Sequence, residues 1–244
     1  MIKKIVICMV AILILGIGLY TAGSKMDDNK NEITNVSKEE KSIKVEEFSN
    51  IDISSVDADV EISIGKDYSV KYNFDDQESI KNMEVNNNTL FIESDSEDLK
   101  IMYFTSEKDN RNKINITIPE NKLLNSLKID TVGGDISLKN IKYTSCNLDT
   151  TDGDVSALNT FGNEIKMDTV DGDCIYTGIA NKNVYISSVE GDIKVDGKNY
   201  SIEANSSENI YYNSQKYQYE FIKNSKGPKM IIENVSGDIE IEDK

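Results

Sequence analysis

The chain has 244 residues, with 27 Lys plus Arg against 43 Asp plus Glu, a formal net charge of −16, and neither His nor Trp. Without an imidazole, no Ser–His–Asp or Cys–His catalytic device exists within one chain, and the commonest zinc ligand is missing. A body this acidic repels nucleic-acid phosphates and favours cations, cationic polymers or basic surfaces, although the same charge also serves solubility alone.

Met1-Ile-Lys-Lys4 precedes an apolar run from Ile5 to Ala22, interrupted by a polar side chain only at Thr21. About 18 residues is the short limit for a bilayer-spanning helix. The two lysines should stay cytoplasmic and send the rest of the chain outward. Residues 1–22 are therefore expected to form a hydrophobic helix that holds the chain in the cytoplasmic membrane through residues 5–22. The alternative is a signal sequence cut near Thr21-Ala22-Gly23-Ser24, which leaves a secreted protein. Cys8 lies inside the apolar run, too early for lipoprotein acylation. Residues 23–42 are polar and read as a flexible tether.

From residue 43 onward the pattern is that of strands. Ser69–Phe74, Met83–Val85, Thr89–Ile92 and Ile114–Pro119 alternate apolar with polar residues, and Pro119 suits a strand end. Asn86-Asn87-Asn88 marks a hairpin. Charged loops are expected at Ser94–Lys100 and Ser106–Lys113, and a short helix near Asp75–Lys81.

A repeat then takes over. Gly134-Asp135, Gly153-Asp154, Gly172-Asp173 and Gly191-Asp192 are spaced by 19 residues each. Seven residues before each Gly stand Leu127, Cys146, Ile165 and Val184; five before stand Ile129, Leu148, Met167 and Ile186. Two after stand Ile136, Val155, Cys174 and Ile193; four after stand Leu138, Ala157, Tyr176 and Val195. Asn140, Asn159, Gly178 or Gly197 then marks a turn. Two further copies match, around Ala58-Asp59 and Gly237-Asp238, the second after a long insertion.

Each copy supplies two short half-buried strands joined at Gly-Asp, and such units bury a core only by stacking. The expected fold is all-β: a single β-solenoid-like domain over 43–244, following the N-terminal hydrophobic helix. A stack of antiparallel hairpins has the same period, so strand pairing and handedness stay open.

Four features invite a chemical reading. Asp135, Asp154, Asp173 and Asp192 should stack on one edge, preceded by Asp152, Asp171 and Glu190 and flanked by Asp130, Asp149 and Asp168. Each Asp could cap backbone N–H groups of its own turn while Gly supplies a positive φ. Alternatively, Asp152, Asp154, Asp171 and Asp173 could hold Ca²⁺ between adjacent turns. Cys146 and Cys174 fall in apolar columns, either as buried thiols or as a disulfide across neighbouring coils. Ser63-Ile-Gly-Lys66 matches Ser-x-x-Lys, but it closes a strand and lacks its partner motifs. Tyr211, Tyr212, Tyr217 and Tyr219, with Phe221, crowd into the long insertion. They form either a binding patch or a cover over the side or end of the solenoid.

Ile51–Ile62, Ile116-Thr-Ile-Pro119 and Leu127–Leu138 resemble the putative adhesin family of bacterial β-strand-repeat proteins, also called the domain of unknown function 4097 family. The resemblance covers roughly Glu46 to Lys244 and offers no catalytic residue to carry over. It implies a non-enzymatic, extracytoplasmic module at the bacterial cell surface, acting as an adhesin or an interaction module toward an unidentified protein or cell-wall partner. It implies as an alternative a membrane-anchored accessory of a cell-envelope stress-response system. No cofactor is expected beyond the calcium alternative, no nucleic acid is expected as partner, and the oligomeric state stays open.

Overall fold

The computed structural model of the chain describes residues 40–74, 80–94 and 112–243. These residues contain strands and turns but no helix. The expected anchor, all but the last residues of the tether, and most of the two expected charged loops lie outside them; of those loops Ser94 ends one strand and Asn112 and Lys113 begin another. The expected short helix lies partly outside as well. Its last two positions, Ile80 and Lys81, begin a strand, because apolar side chains at Ile80, Met83 and Val85 turn toward the core.

In chain order the strands are β1 (Lys41–Lys44), β2 (Asn50–Ser55), β3 (Ala58–Gly65), β4 (Ser69–Asn73), β5 (Ile80–Asn86) and β6 (Thr89–Ser94). Then follow β7 (Asn112–Pro119), β8 (Leu123–Thr131), β9 (Ile136–Lys139), β10 (Lys142–Asp149), β11 (Val155–Asp171) and β12 (Cys174–Glu190). The last are β13 (Ile193–Asp196), β14 (Ser201–Tyr212), β15 (Gln215–Lys223), β16 (Lys229–Ser236) and β17 (Ile239–Glu242).

The repeats stack in parallel, which excludes the hairpin alternative. In one ladder Leu127 pairs with Cys146, Cys146 with Ile165, Ile165 with Val184 and Val184 with Met230. In the other, Ile136 pairs with Val155, Val155 with Cys174, Cys174 with Ile193 and Ile193 with Ile239. Every residue in these two columns is at most 3% exposed. The period-two alternation thus becomes two facing sheets whose inner sides form one apolar core. The strands are not uniformly short. β11 and β12 each run 17 residues, crossing from one ladder into the other through bulged bends at Leu158/Thr160 and Gly162/Glu164 in β11.

Layer order differs from chain order. β2–β3 pairs on one side with β8–β9, the next repeat, and on the other with β6 and β7, which arise from the intervening segment. β5, β4 and β1 close that end antiparallel. The β5–β6 hairpin turns through Asn87 and Asn88, both at positive φ, as an Asn-rich two-residue turn requires. At the other end, β16–β17 packs directly on β12–β13, and the long insertion lies beyond it as β14 and β15. Eight layers at about 4.8 Å make a stack roughly 34 Å long.

The remaining side, where each coil returns to the first ladder, is filled by aromatic rings. Tyr143, Tyr176 and Tyr200 are buried. The hydroxyls of Tyr176 and Tyr200 lie 3.2 Å apart, and Tyr200 accepts the Ala180 N–H at 2.6 Å and donates to the Gly178 carbonyl. Gly162 admits the Tyr143 ring: a Cβ there would sit 2.0 Å from it.

Candidate functional site

The Gly-Asp corners lie where the two ladders meet. A Cβ at Gly134 would lie 2.1 Å from the Ala58 carbonyl oxygen, at Gly153 2.4 Å from that of Gly134, and at Gly172 2.1 Å from that of Gly153. The same contact recurs at Gly191 and Gly237. The glycines are therefore required by the approach of the previous coil's backbone. Positive φ, expected throughout, occurs at Gly172, Gly191 and Gly237 but not at Gly134 or Gly153. Ala58 begins this column and faces β7 rather than another Gly-Asp corner, so its methyl group is accommodated.

The aspartates bind across coils rather than within their own turns. Asp154 N–H donates to Asp135 Oδ1 at 2.9 Å, Asp173 N–H to Asp154 Oδ1 at 2.9 Å, Asp192 N–H to Asp173 Oδ1 at 2.7 Å, and Asp238 N–H to Asp192 Oδ1 at 2.8 Å. A second column, missed in the sequence, stands three residues before each Gly. Thr150, Thr169 and Ser188 donate to the carbonyls of Gly134, Gly153 and Gly172 at 3.0–3.1 Å, and Asn234 does the same for Gly191. Its signal was the run of Ser, Thr or Asn in register. Together the two columns give partners to these corner N–H and C=O groups, as buried backbone requires, while Thr131 Oγ1 and Asn234 Oδ1 in the second column are buried with none among the described residues.

Asp152, Asp154, Asp171 and Asp173 are all exposed on this edge. Among the described residues, no group of three or more carboxylate or thiol side chains is arranged to hold a metal ion. Asp154→Asn keeps a carbonyl oxygen for the Asp173 N–H and is expected to change stability by less than about 0.5 kcal/mol. Asp154→Ala leaves that donor to water and is expected to cost about 1 kcal/mol. Urea unfolding of both variants, with calcium and with chelator, checks this. A calcium-dependent rise in the midpoint that both variants lose would instead make this edge a metal site.

Cys146 and Cys174 are buried free thiols on different ladders. Burial pushes Cys146 well above its ordinary value, and burial with the charges of Asp154 and Asp173 pushes Cys174 up to about 12. Neither is a thiolate at neutral pH, so neither is poised as a nucleophile.

The four tyrosines of the insertion separate into three settings. Tyr212 stacks on Phe221 with centroids 4.6 Å apart, and Tyr217 meets the same ring edge-on at 4.8 Å. Tyr212 also donates to Asp243 Oδ2 at 2.6 Å, and the Lys223 ammonium lies 2.5 Å from the same oxygen. Lys223 and this hydrogen bond hold the Asp243 carboxyl below its usual range, while Asp243 pushes the Tyr212 phenol up to about 12. These two rings thus cover the last layer. Tyr219 is 66% exposed on β15 opposite the bulged stretch of β14 between Asn205 and Asn209, at φ +69°, a strained conformation for a bulky residue.

Tyr211 faces outward beside Glu240 of β17. With Asp173, Ile175, Asp192, Lys194, Asp238 and Glu240 it lines an open groove of about 560 Å³ on the outer side of the second ladder. The groove thus joins two members of the stacked aspartate column, Asp173 and Asp192, to one member of the tyrosine set, Tyr211. Lys194 and Glu240 were not singled out in the sequence, and Asp238 was read only as a repeat member. Asp238 and Glu240 reach this surface because β17 slides between β13 and the end of β14, a placement the insertion hides.

The model of the Toastrack family, DUF4097, matches residues 48–244. The chain belongs to this family. Outside the family model, a comparison with proteins of curated function found no match. The Toastrack chain is similar in structure to a putative cell adhesion protein from Clostridium sporogenes, at 16% identity over 85% of this chain and 100% of that one, with a TM-score of 0.48. It is also similar to a putative adhesin from Bacteroides fragilis, at 19% identity over 84% and 97% with a TM-score of 0.47. A third likeness is to a putative lipid binding protein from Parabacteroides distasonis, at 17% identity over 85% and 97% with a TM-score of 0.35.

Proposed function

We propose that this Toastrack protein is a non-enzymatic, extracytoplasmic interaction module, held at the bacterial membrane by residues 5–22 and presenting its sheet faces to a protein or cell-wall partner. The observation that carries this reading is the contrast between inside and outside. The thiols of Cys146 and Cys174 and the phenols of Tyr143, Tyr176 and Tyr200 are buried, while the corner hydroxyls and one oxygen of each corner aspartate join coils. What faces outward among the described residues is a broad sheet surface that carries an acidic, aromatic groove. That arrangement suits recognition, and among the described residues it brings together no nucleophile, base and orienting group.

The test exchanges residues 1–22 for a cleavable signal. The expected result is that the protein moves from the membrane fraction to the medium, and that the released protein binds cells or isolated wall. Failure of the released protein to bind either, with loss of an envelope-stress response that only the anchored form supports, would replace this reading by that of an accessory to a membrane sensor.

A further inference from the structure

From the groove's chemistry we propose, building on the interaction-module reading, that it holds an extended basic peptide segment of a partner. Asp173, Asp192 and Asp238 descend one wall, one per layer at about 4.8 Å. Each spends one oxygen on a backbone N–H: Asp192 N–H on Asp173, Asp238 N–H on Asp192, and Asn209 N–H, at 3.2 Å, on Asp238. Among the described residues no cation pairs with these three carboxylates. The groove's own cation, Lys194, is taken by Glu240 at 2.8 Å.

Beside this uncompensated charge stand an apolar side chain and an aromatic one. Ile175 is 38% exposed on the same face, and Tyr211 closes the end. Carboxylates next to apolar and aromatic surface complement a Lys or Arg side chain, whose methylene stem packs while its head meets charge. A compact metal ion would use only the carboxylates, and they form no such cluster. A groove crossing several layers accommodates more than one such side chain, which favours a peptide over a single amine. The formal charge of −16 on the whole chain draws a basic segment toward this face.

The test uses the full chain in neutral detergent and a short fluorescent peptide of alternating arginine and leucine, read by anisotropy. Replacing Asp173, Asp192 and Asp238 together by Asn removes three charges but keeps an oxygen for each N–H. The peptide is then expected to bind about tenfold more weakly or worse. The same exchange at Asp59, Asp135 and Asp154, farther along the same edge, removes equal charge outside the groove and is expected to change affinity less than about twofold. Tyr211→Ala should weaken binding with the charge unchanged. Circular dichroism verifies that each variant folds. Equal weakening by both triple variants would overturn the proposal, reducing the effect to overall charge. Absence of peptide binding by the unaltered chain would overturn it too. If that chain still bound cells or wall, the interaction-module reading would survive without this ligand.

Discussion

Alanine at Gly153 is expected to destabilise the protein by about 3 kcal/mol or more, while alanine at Gly133 changes stability by less than about 0.5 kcal/mol. Both are corner glycines, and neither has a positive φ. They differ in what a methyl group meets. At Gly153 it would lie 2.4 Å from the Gly134 carbonyl oxygen, a backbone atom that already accepts the Thr150 hydroxyl at 3.1 Å. At Gly133 the nearest atom would be the Val56 carbonyl oxygen at 3.6 Å, an ordinary contact. Relief at Gly153 requires two coils to separate, and a stack of parallel strands resists that along its whole width. Ala58→Gly supplies the reciprocal case and should be mild, because it removes one methyl group from the first member of the column. Urea denaturation of the three variants gives the order. Equal losses at Gly133 and Gly153 would show that corner flexibility, rather than coil approach, sets the need for glycine.

Between about pH 10 and 12 the folded protein should lose stability steeply. Cys146 and Cys174, ordinarily near 9.0, and Tyr143, Tyr176 and Tyr200, ordinarily near 10.0, are all pushed up, chiefly by burial. Below pH 9 both states hold these protons and the contribution is complete. As the pH rises past 9 and then 10, the unfolded chain releases protons that the folded chain retains, so stability falls until the folded groups ionise in turn. Each such group costs about 1.4 kcal/mol per pH unit. Set against the 5–15 kcal/mol, roughly, of a typical domain, the four most strongly shifted groups, Cys146, Cys174, Tyr143 and Tyr176, are enough to unfold it. Tyrosinate absorbance followed together with circular dichroism checks this. The phenols of Tyr143 and Tyr176 should ionise only as the β spectrum is lost. Ionisation of all 12 tyrosines with the spectrum intact would contradict it.

Which parts of this were legible follows from what each depends on. The inner columns could be read because side-chain direction in a strand alternates strictly. Leu127, Cys146, Ile165 and Val184 shared a column in the sequence and share one in the fold. The corner glycines were visible, but their reason was not, because crowding by the preceding coil is a contact between residues 19 apart in sequence. For the same reason the aspartates were assigned to N–H groups of their own turns, although they serve the next coil. The groove was illegible as a unit. Asp173, Asp238 and Tyr211 meet only because β14 is laid down at the end of the stack and β17 is then placed inside it. Insertions without self-similarity carry no mark of their register.

That inverted order has a bearing on how the molecule is made. During synthesis β14 and β15 emerge before β16 and β17, yet the later pair fills the gap between the earlier one and β12–β13. Until residues 229–242 leave the ribosome, the open edge of β12 and β13 has no native neighbour, and the hairpin at the end has nothing to rest on. In most stacked-repeat proteins, removing the final repeat trims one layer and leaves the others standing. Truncation before Lys229 would instead remove a layer from inside, exposing strand edges on both sides of the gap. Nascent chains stalled short of this point are thus candidates for capture by one another, edge to edge, and strands made after the hairpin complete the stack from within.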